Sequence, residues 1–401
     1  MDLRKILTRP TLLLWLLFVF LEPFYLLPSG LPQPGDVLVL ILVPMALYRW
    51  KGRLHRDLAR PLRPLLWFVL WVFLVNYGWA LVVSKWTMLK AYTIFPLYYV
   101  FNFAIFFALL LLYQRFGRII LRITITALFA AIGVQVAVSL ASRGHSFRDA
   151  VFFNNANQLG YYALLAASMI AMSQKVLKIS LLKASIALTG CAYLALISAS
   201  RSGVAGIALL FFLIVFSNPR VILVASIAAV ALLLVGPVAQ SIDHVSQRMN
   251  RQHRYTFAEE RAYDRIWKFK EYVIIGAGEG DVNRFNEDPK QHGREIHSSF
   301  ATVLFSYGFI GITLFLWFIA RIVRGSGFRL GIMLIPTLTH TAAHQGLRFT
   351  MLWVLLAFFV ALKHANKAKP EASAPGPSAP GPSAPGPLAP SPLGDAEPIP
   401  V

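Results

Sequence analysis

Two kinds of side chain in this sequence could perform chemistry: a histidine at the start of an apolar run, and arginines near the ends of such runs. His297 lies in "REIHSSFATVLFSYGFIGITLF", where Ser298 and Ser299 are candidate N-caps of the following helix. The positive end of a helix dipole favours a neutral imidazole ring, which is the form that a general base needs near neutral pH. His297 is therefore a candidate base, although a histidine that only caps a helix would have the same sequence signature.

The candidate cations are Arg201, Arg261, Arg265 and Arg348. A planar guanidinium binds phosphate oxygens through two parallel hydrogen bonds. Ordinary alternatives exist, because Arg201 could reach lipid headgroups and the i, i+4, i+7 row of Arg261, Arg265 and Lys268 could be a solvated helix face. A neutral base beside several guanidinium groups suits attack on a substrate that has a diphosphate leaving group.

Long apolar runs must position these residues. The chain is 57% hydrophobic and 14% charged, whereas soluble domains contain about 25% charged residues. A membrane span needs about 20 mainly apolar residues. The sequence therefore predicts an all-α polytopic membrane protein with about twelve transmembrane helices, near 11–28, 36–48, 64–82, 91–113, 119–140, 158–172, 181–199, 203–217, 221–237, 299–320, 330–346 and 349–362.

The distribution of charge predicts the orientation. The net charge is +20, and more than half of the 38 Lys and Arg residues fall in loops on one side of these spans. By the positive-inside rule that side is cytoplasmic, and both termini lie there. The excess charge is explained by topology, so no nucleic-acid partner is expected.

The spans divide the chain into four parts. Residues 1–237 hold spans one to nine, 238–298 form a large polar loop on the outer face, 299–362 hold spans ten to twelve, and 363–401 form a disordered Pro/Gly-rich cytoplasmic tail. Within the loop, "AEERAYDRIWKFKEYVI" has the periodicity of an amphipathic helix, and the glycine-rich "IIGAGEGD" after it predicts a turn.

No metal or other cofactor is expected. His340 and His344 have a metal-ligand spacing of i, i+4, but a third ligand is not evident, and contacts between helices explain them better. The first outer loop has a single acidic residue, Asp36, which argues against a site of paired carboxylates there. The chemistry should therefore be independent of metal.

The sequence resembles the O-antigen ligase family, and the wider group that includes O-antigen polymerases and pilin oligosaccharyltransferases. The family pattern is a histidine, then Asn, Ser or Gln, nine residues, a glycine, and two residues before Gly, Thr or Tyr. Here it is His297, Ser298, nine residues, Gly308 and Gly311. "SASRSG" around Arg201, "DRIWKFKEY" and "IIGAGEGD" also resemble the group, over roughly residues 154–362. One departure is Phe269, where the family often has a leucine four residues after the arginine.

The resemblance implies a GT-C-like inverting glycosyltransferase of the bacterial inner membrane with a periplasmic active site. It would transfer O-antigen glycan from undecaprenyl diphosphate to lipid A–core oligosaccharide during lipopolysaccharide assembly. His297 would then be the base, and Arg201 and Arg265, helped by Arg261 and Arg348, would bind the diphosphate.

Other functions share this pattern. An O-antigen polymerase or a pilin O-oligosaccharyltransferase needs the same base and diphosphate site, and only the acceptor separates them. A lipid-linked sugar transporter is a rival of another class, but transporters place ionisable residues near the membrane midplane. Here Glu22 is the main such residue, and the arginines collect at one boundary.

Overall fold

The computed structural model describes residues 8–28, 31–48, 50–82, 86–142, 149–217, 256–280, 282–285 and 295–368, which are helical with no strand among them. The first nine helices are α1 (Pro10–Leu21), α2 (Pro34–Tyr48), α3 (Arg56–Ala59), α4 (Leu62–Val82), α5 (Trp86–Phe116), α6 (Arg118–Ala141), α7 (Ala156–Val176), α8 (Leu181–Ile197) and α9 (Arg201–Ser217). The remainder are α10 (Phe257–Glu260), α11 (Arg265–Lys268), α12 (Tyr272–Ile275), α13 (Ser299–Val323), α14 (Phe328–Gly331), α15 (Ile335–Ala343) and α16 (Thr350–Lys367), with short 3₁₀ turns at Val282–Phe285 and Ile332–Leu334.

Membrane-length helices recur along the described residues. Four stretches are long and apolar enough to cross a membrane: Arg56–Val82, Tyr92–Phe116, Arg118–Ala141 and Ser299–Val323. Shorter apolar helices accompany them, including Pro10–Leu21 and Pro34–Tyr48. The described residues are therefore helical, as predicted, and their apolar helices are consistent with a membrane protein, whereas the count of about twelve spans stays a prediction. The predicted span at 221–237, the first part of the polar loop and the tail from 369 lie outside the described residues.

Helix α16 lies at the centre of the hydrophobic core. Its residues from Met351 to Leu362 are all buried, and a helix that is apolar and buried all round belongs inside a bundle. Helices α7 and α9 pack closely against each other because small residues let their backbones approach. A Cβ on Gly203 would lie 3.2 Å from the backbone of Gly160.

The predicted span over 330–346 is not one continuous α-helix. The chain passes from α14 through the 3₁₀ turn Ile332–Leu334 into α15, which ends at Ala343. Pro336 lies at the start of α15, and proline lacks the N–H of an α-helical turn and collides with the carbonyl four residues earlier. Pro336 therefore prevents a continuous α-helix here, and the chain forms the tighter 3₁₀ turn Ile332–Leu334 before α15 begins.

The prediction of one amphipathic helix over 258–274 is wrong. The segment folds as the separate turns α10, α11 and α12. Ala262 has a φ of 55°, a left-handed conformation that ends a right-handed helix. The cause is tertiary, since Ala262 is 3% exposed in a small core beneath the loop with Ala277, Phe285, Ile296 and Phe305.

Helix α13 is interrupted at Gly308, whose φ of 67° is left-handed. The carbonyls of the preceding residues turn outward and accept hydrogen bonds: Phe305 from the N–H of Ala277 (2.9 Å), Ser306 from Gly278 (2.8 Å) and Tyr307 from the indole of Trp71 (2.7 Å). The glycine of the sequence motif is therefore the point at which the polar loop docks onto α13.

We expect Gly308→Ala to destabilise the protein. A left-handed alanine costs about 1–2 kcal/mol, and its Cβ would also clash with the carbonyl oxygen of Ile274. Gly133→Ala in α6 is the matched control, because a Cβ there meets no described atom within 4 Å. Thermal unfolding in detergent, followed by size-exclusion chromatography, should show a lowered midpoint for Gly308→Ala alone. Equal midpoints for the two variants would contradict this account of the kink.

Candidate active site

A cavity of about 860 Å³ opens among α1, α2, α5, α7, the end of α15 and the segment before α13. Its wall contains both candidate base and candidate cation, His297 and Arg348. The other titratable side chains on the wall include three acids and two further histidines: Glu22, Asp36, Glu295, His340 and His344. Arg201, Arg261 and Arg265 are not among the lining residues.

His297 is held by its backbone and by one ring nitrogen. Ser298 is the N-cap of α13 and accepts from the N–H of Ala301 at 3.2 Å, which confirms one of the two predicted caps. The N–H of His297 donates to the carbonyl of Arg261 at 3.1 Å. The ring Nδ1 lies 2.7 Å from the carbonyl oxygen of Glu295, and a carbonyl can only accept. Nδ1 therefore carries the proton, which leaves Nε2 of the neutral ring free to accept one.

The glycine-rich turn fixes the loop against the helices. Gly276 has a φ of 114°, and a Cβ there would clash with the Ser306 carbonyl. The indole N–H of Trp79 donates to the Gly276 carbonyl at 2.9 Å. The side chain of Asn76 pairs with the backbone of Glu279, donating to its carbonyl at 2.8 Å and accepting from its N–H at 3.1 Å. Two residues of α4 thus place Glu279 inside the bundle.

Glu279 is the centre of a buried polar network. Its side chain accepts from the hydroxyls of Tyr99 (2.8 Å) and Tyr307 (3.0 Å) and from the amide of Gln345 (3.4 Å). The residue is 7% exposed, and burial raises the pKa of its carboxyl despite the opposing effect of Arg348. Sequence reasoning missed Glu279, because an acid within a glycine-rich turn gives no sign of buried partners.

Arg348 is held between two acids. Its Nε lies 3.5 Å from Glu279, and its terminal nitrogen forms an ion pair with Glu295. The guanidinium also lies 4.9 Å from the ring centroid of Phe95. Burial opposes its charge, but Glu279 and Glu295 outweigh burial and raise the pKa of the guanidinium. Arg348 is therefore a fixed cation that lines the same cavity as His297, and its ion-pair partners are Glu279 and Glu295.

Glu279 should make stability depend on pH. Its native pKa lies above the usual value of about 4.3, so the native state binds this proton more tightly than the unfolded chain does. Stability from this group is greatest below about pH 4.3 and falls as the pH rises to the raised pKa. We expect Glu279→Gln to reduce that fall, measured by thermal unfolding between about pH 4 and pH 8.

The control for this prediction is Glu271→Gln, since Glu271 is exposed in the same loop. It should follow the wild-type pH profile. A constant offset between wild type and Glu279→Gln at every pH would contradict the raised pKa.

The two loop arginines have different environments. Arg261 donates to the carbonyl of Ala343 at 2.7 Å and offers its own carbonyl to His297. Arg265 is 5% exposed, and burial lowers its pKa against the influence of Asp264 and Glu295. Lys268 points to solvent and pairs with Asp264 at 2.9 Å. The predicted basic row is therefore not a single face. Arg261 contacts the backbone of His297, and Arg265 lines a small pocket with Glu295 and Ile296.

Arg201 begins α9 and is half-buried. The serine before it, Ser200, is 1% exposed and packs where Gly160 leaves space. In the segment before and at the start of α7, Asn157 lines the cavity, and Asn154 donates to the carbonyl of Leu27 at 3.2 Å. The N-cap of α7 is Asn155.

Arg284 is a further residue that sequence reasoning missed. Its guanidinium lies within 5.6 Å of four aromatic ring centroids and donates to the Ala277 carbonyl. These cation–π contacts attach the loop to the helices. The aromatic partners are Trp79, Tyr92, Tyr272 and Phe285.

His340 and His344 stack with each other, with ring centroids 5.0 Å apart, and His340 also stacks on Tyr161 at 4.4 Å. Across the part of the chain that the structure describes, no group of three or more His, Cys, Asp or Glu is arranged to hold a metal ion. The pair contributes to helix packing and to the cavity wall.

The comparison with known families agrees with the order of these elements. Residues 186–316 match a family model described as O-antigen ligase. This range includes Arg201, Arg261, Arg265, His297 and Gly308, and ends before Arg348. No curated protein gives a significant match. Over residues 186–316 the chain is therefore similar to the O-antigen ligase family, and its apolar helices are those of a multi-pass membrane protein.

Proposed function

We propose that this protein is an O-antigen ligase, a metal-independent inverting glycosyltransferase that transfers glycan from undecaprenyl diphosphate to lipid A–core oligosaccharide. The observation that supports this most directly is the shared cavity of about 860 Å³, which His297 and Arg348 both line. His297 lies just before the membrane-length helix α13, and Arg348 lies just before α16. Both substrates are anchored in lipid, so they would meet at this boundary.

The proposed reaction assigns the proton and the leaving group. An acceptor sugar hydroxyl attacks the anomeric carbon and forms the new C–O bond. Nε2 of His297 takes the hydroxyl proton, and the bond from the anomeric carbon to the diphosphate oxygen breaks with its electron pair on undecaprenyl diphosphate. Attack opposite the leaving group inverts the anomeric centre. Arg348 contacts the diphosphate and offsets the charge that grows on it. Arg201, Arg265 and Arg261, which do not line the cavity, add positive potential around it.

The site residues divide into two groups under this proposal. Of the four candidate arginines, all of which the structure describes, Arg348 alone lines the cavity. Arg348 is therefore the primary diphosphate contact. Arg261 and Arg265 belong to the loop that holds His297 in place. The site faces the periplasm, both termini are cytoplasmic, and the protein lies in the bacterial inner membrane among its lipids.

Related functions remain as alternatives within the family, which covers ligases, polymerases and oligosaccharyltransferases. A polymerase would use a second carrier-linked glycan as acceptor, and a pilin O-oligosaccharyltransferase would use a protein hydroxyl. Transport of a lipid-linked sugar is less well supported, because the base and the cation share one wall of a single cavity.

The test is complementation of a ligase-deficient bacterium that makes compatible carrier-linked O-antigen and lipid A–core. A ladder of lipopolysaccharide on a gel, as produced by the host's own ligase, is expected when this protein is expressed. A missing ladder at matched membrane levels would contradict ligase activity and favour the polymerase or the pilin transferase.

A further inference from the structure

The cavity also contains two carboxylates that the reaction above does not use. Glu22 is the C-cap of α1 and is 4% exposed, and Asp36 lies in the first turn of α2. Both side chains line the same cavity, and a Cβ on Gly35, next to Asp36, would lie 3.4 Å from the Glu22 carboxylate oxygen. Glu22 also shares a hydrogen bond with the Thr350 side chain. Asp36 accepts from the N–H of Gln33 at 2.7 Å.

Neither carboxylate forms an ion pair with another residue in the described ranges. A pair of carboxylates away from bulk water is costly unless donors satisfy it. The carboxyl oxygens of Glu22 and Asp36 therefore have no ion-pair partner of their own, which suits a ligand that brings hydrogen-bond donors.

Two other lining residues have polar atoms without partners. Asn102 is 1% exposed and donates weakly to the Leu347 carbonyl at 3.4 Å, while its Oδ1 has no hydrogen-bond partner among the described atoms. His340 is 5% exposed, and neither of its ring nitrogens has a hydrogen-bond partner among the described atoms. Buried polar groups are normally paired, so these unpaired atoms are independent positions for hydrogen bonds to a molecule bound in the cavity.

One segment connects these groups with the proposed reaction centre. Gln345 donates to Glu279, Arg348 pairs with Glu295, and Thr350 contacts Glu22. Arg348 and Thr350, the residue that contacts Glu22, are two positions apart in the chain. A ligand that binds Arg348 through its diphosphate would therefore place the sugar next to that diphosphate in the part of the cavity that Glu22 lines. The aromatic rings of Tyr98 and Phe101 line the same space and offer the flat apolar surface on which a sugar ring packs.

We propose that Glu22, Asp36, Asn102 and His340 form a sugar-binding subsite, in which the two carboxylates accept hydrogen bonds from ring hydroxyls next to the reacting bond. The proposal rests on the proposed function, because it assumes that the cavity receives a glycan. The ring belongs either to the donor or to the acceptor, and the hydroxyl chemistry is the same. A divalent cation fits less well, since it takes about six or more oxygen ligands.

The test uses the purified full chain in nanodiscs, with an undecaprenyl-diphosphate-linked repeat unit as donor and lipid A–core as acceptor. Glu22→Gln and Asp36→Asn are each expected to raise the KM of one substrate about 10-fold, because an amide replaces one of the two carboxyl oxygens with a group that cannot accept a hydrogen bond. The substrate whose KM rises identifies the source of the ring. The control is Asp57→Asn, because Asp57 pairs with Arg60 and does not line the cavity. This variant should keep the wild-type KM for both substrates.

A binding measurement separates this proposal from the proposed function. Soluble core oligosaccharide and soluble O-antigen repeat are titrated into the wild type and the folded variants without the other substrate. Weaker binding of one of them to Asp36→Asn supports the subsite even where transfer is absent. Unchanged KM and unchanged affinity in both variants would overturn the subsite. A wild-type rate that depends on Mg²⁺, together with a Glu22→Gln rate that does not, would also overturn it, because the carboxylates would then bind a cation. A wild type that binds sugar and transfers none would instead contradict the ligase proposal alone.

Discussion

Replacing His297 by glutamine is expected to lower the rate of glycan transfer by about 10²- to 10⁴-fold, the range that a positioned general base contributes. Glutamine retains a side-chain N–H that can donate to the Glu295 carbonyl, but its amide cannot accept a proton from the attacking hydroxyl. The rate is measured with purified protein and the two lipid-linked substrates, and the lipopolysaccharide ladder gives the same result in cells.

The matched control is His55→Gln. His55 is an exposed histidine that caps α3 and lies outside the cavity lining. Both variants should reach wild-type membrane levels and unfold at wild-type temperature, because the His297 side chain is exposed. Transfer by His297→Gln within about 10-fold of wild type would contradict the role of a general base.

Arg348→Gln is expected to lower the transfer rate by about 10²- to 10³-fold, by analogy with the loss of one charged or hydrogen-bonding contact to a developing anion. It should also destabilise the protein, because Glu279 loses its cation. The loss should be smaller than the about 3–5 kcal/mol of fully buried pairs, since the side chains of Arg348 and Glu295 are 25% and 39% exposed.

A second substitution separates these two effects. Arg348→Gln combined with Glu295→Gln removes one positive and one negative charge, so it should recover part of the stability. It should not recover the rate if Arg348 contacts the diphosphate. Arg329→Gln, on an exposed residue of α14, is the control for the loss of one positive charge. Full recovery of transfer by the double variant would show that Arg348 acts only by neutralising its acidic neighbours.

The structure also suggests a physical reason for the spacing of the histidine and the glycine. His297 immediately precedes the N-cap of α13, and Gly308 is the point where the loop inserts backbone to backbone. Gly308 lies nine positions after Ser299, the first residue of α13, which corresponds to about 14 Å of helix at 1.5 Å per residue. An inserted residue would rotate the outward carbonyls of Phe305 and Ser306 away from the N–H groups of Ala277 and Gly278, and the loop would no longer hold His297 and Glu295.

Local sequence was sufficient to predict several features of this protein. The long apolar runs predicted membrane helices, because their burial depends on composition and length. Ser298 was predicted as an N-cap, because a serine side chain satisfies an N–H only a few residues away. The position of His297 at the helix start followed from the same local rule. The order of motifs predicted the similarity to the O-antigen ligase family that residues 186–316 show.

Only the tertiary structure decided how the loop folds and which acids meet Arg348. The periodicity of 258–274 predicted a helix, but the packing of Ala262 in a small core outweighed the modest energy of a short exposed helix. Glu279 lies 69 residues from Arg348 in the chain, and Tyr99 is 180 residues from Glu279. Contacts at such separations depend on how the helices pack, and no local pattern of residues encodes them. The helices were therefore predictable from short-range preferences, whereas the charge balance of the site arose from the long-range packing that brings the loop into the bundle.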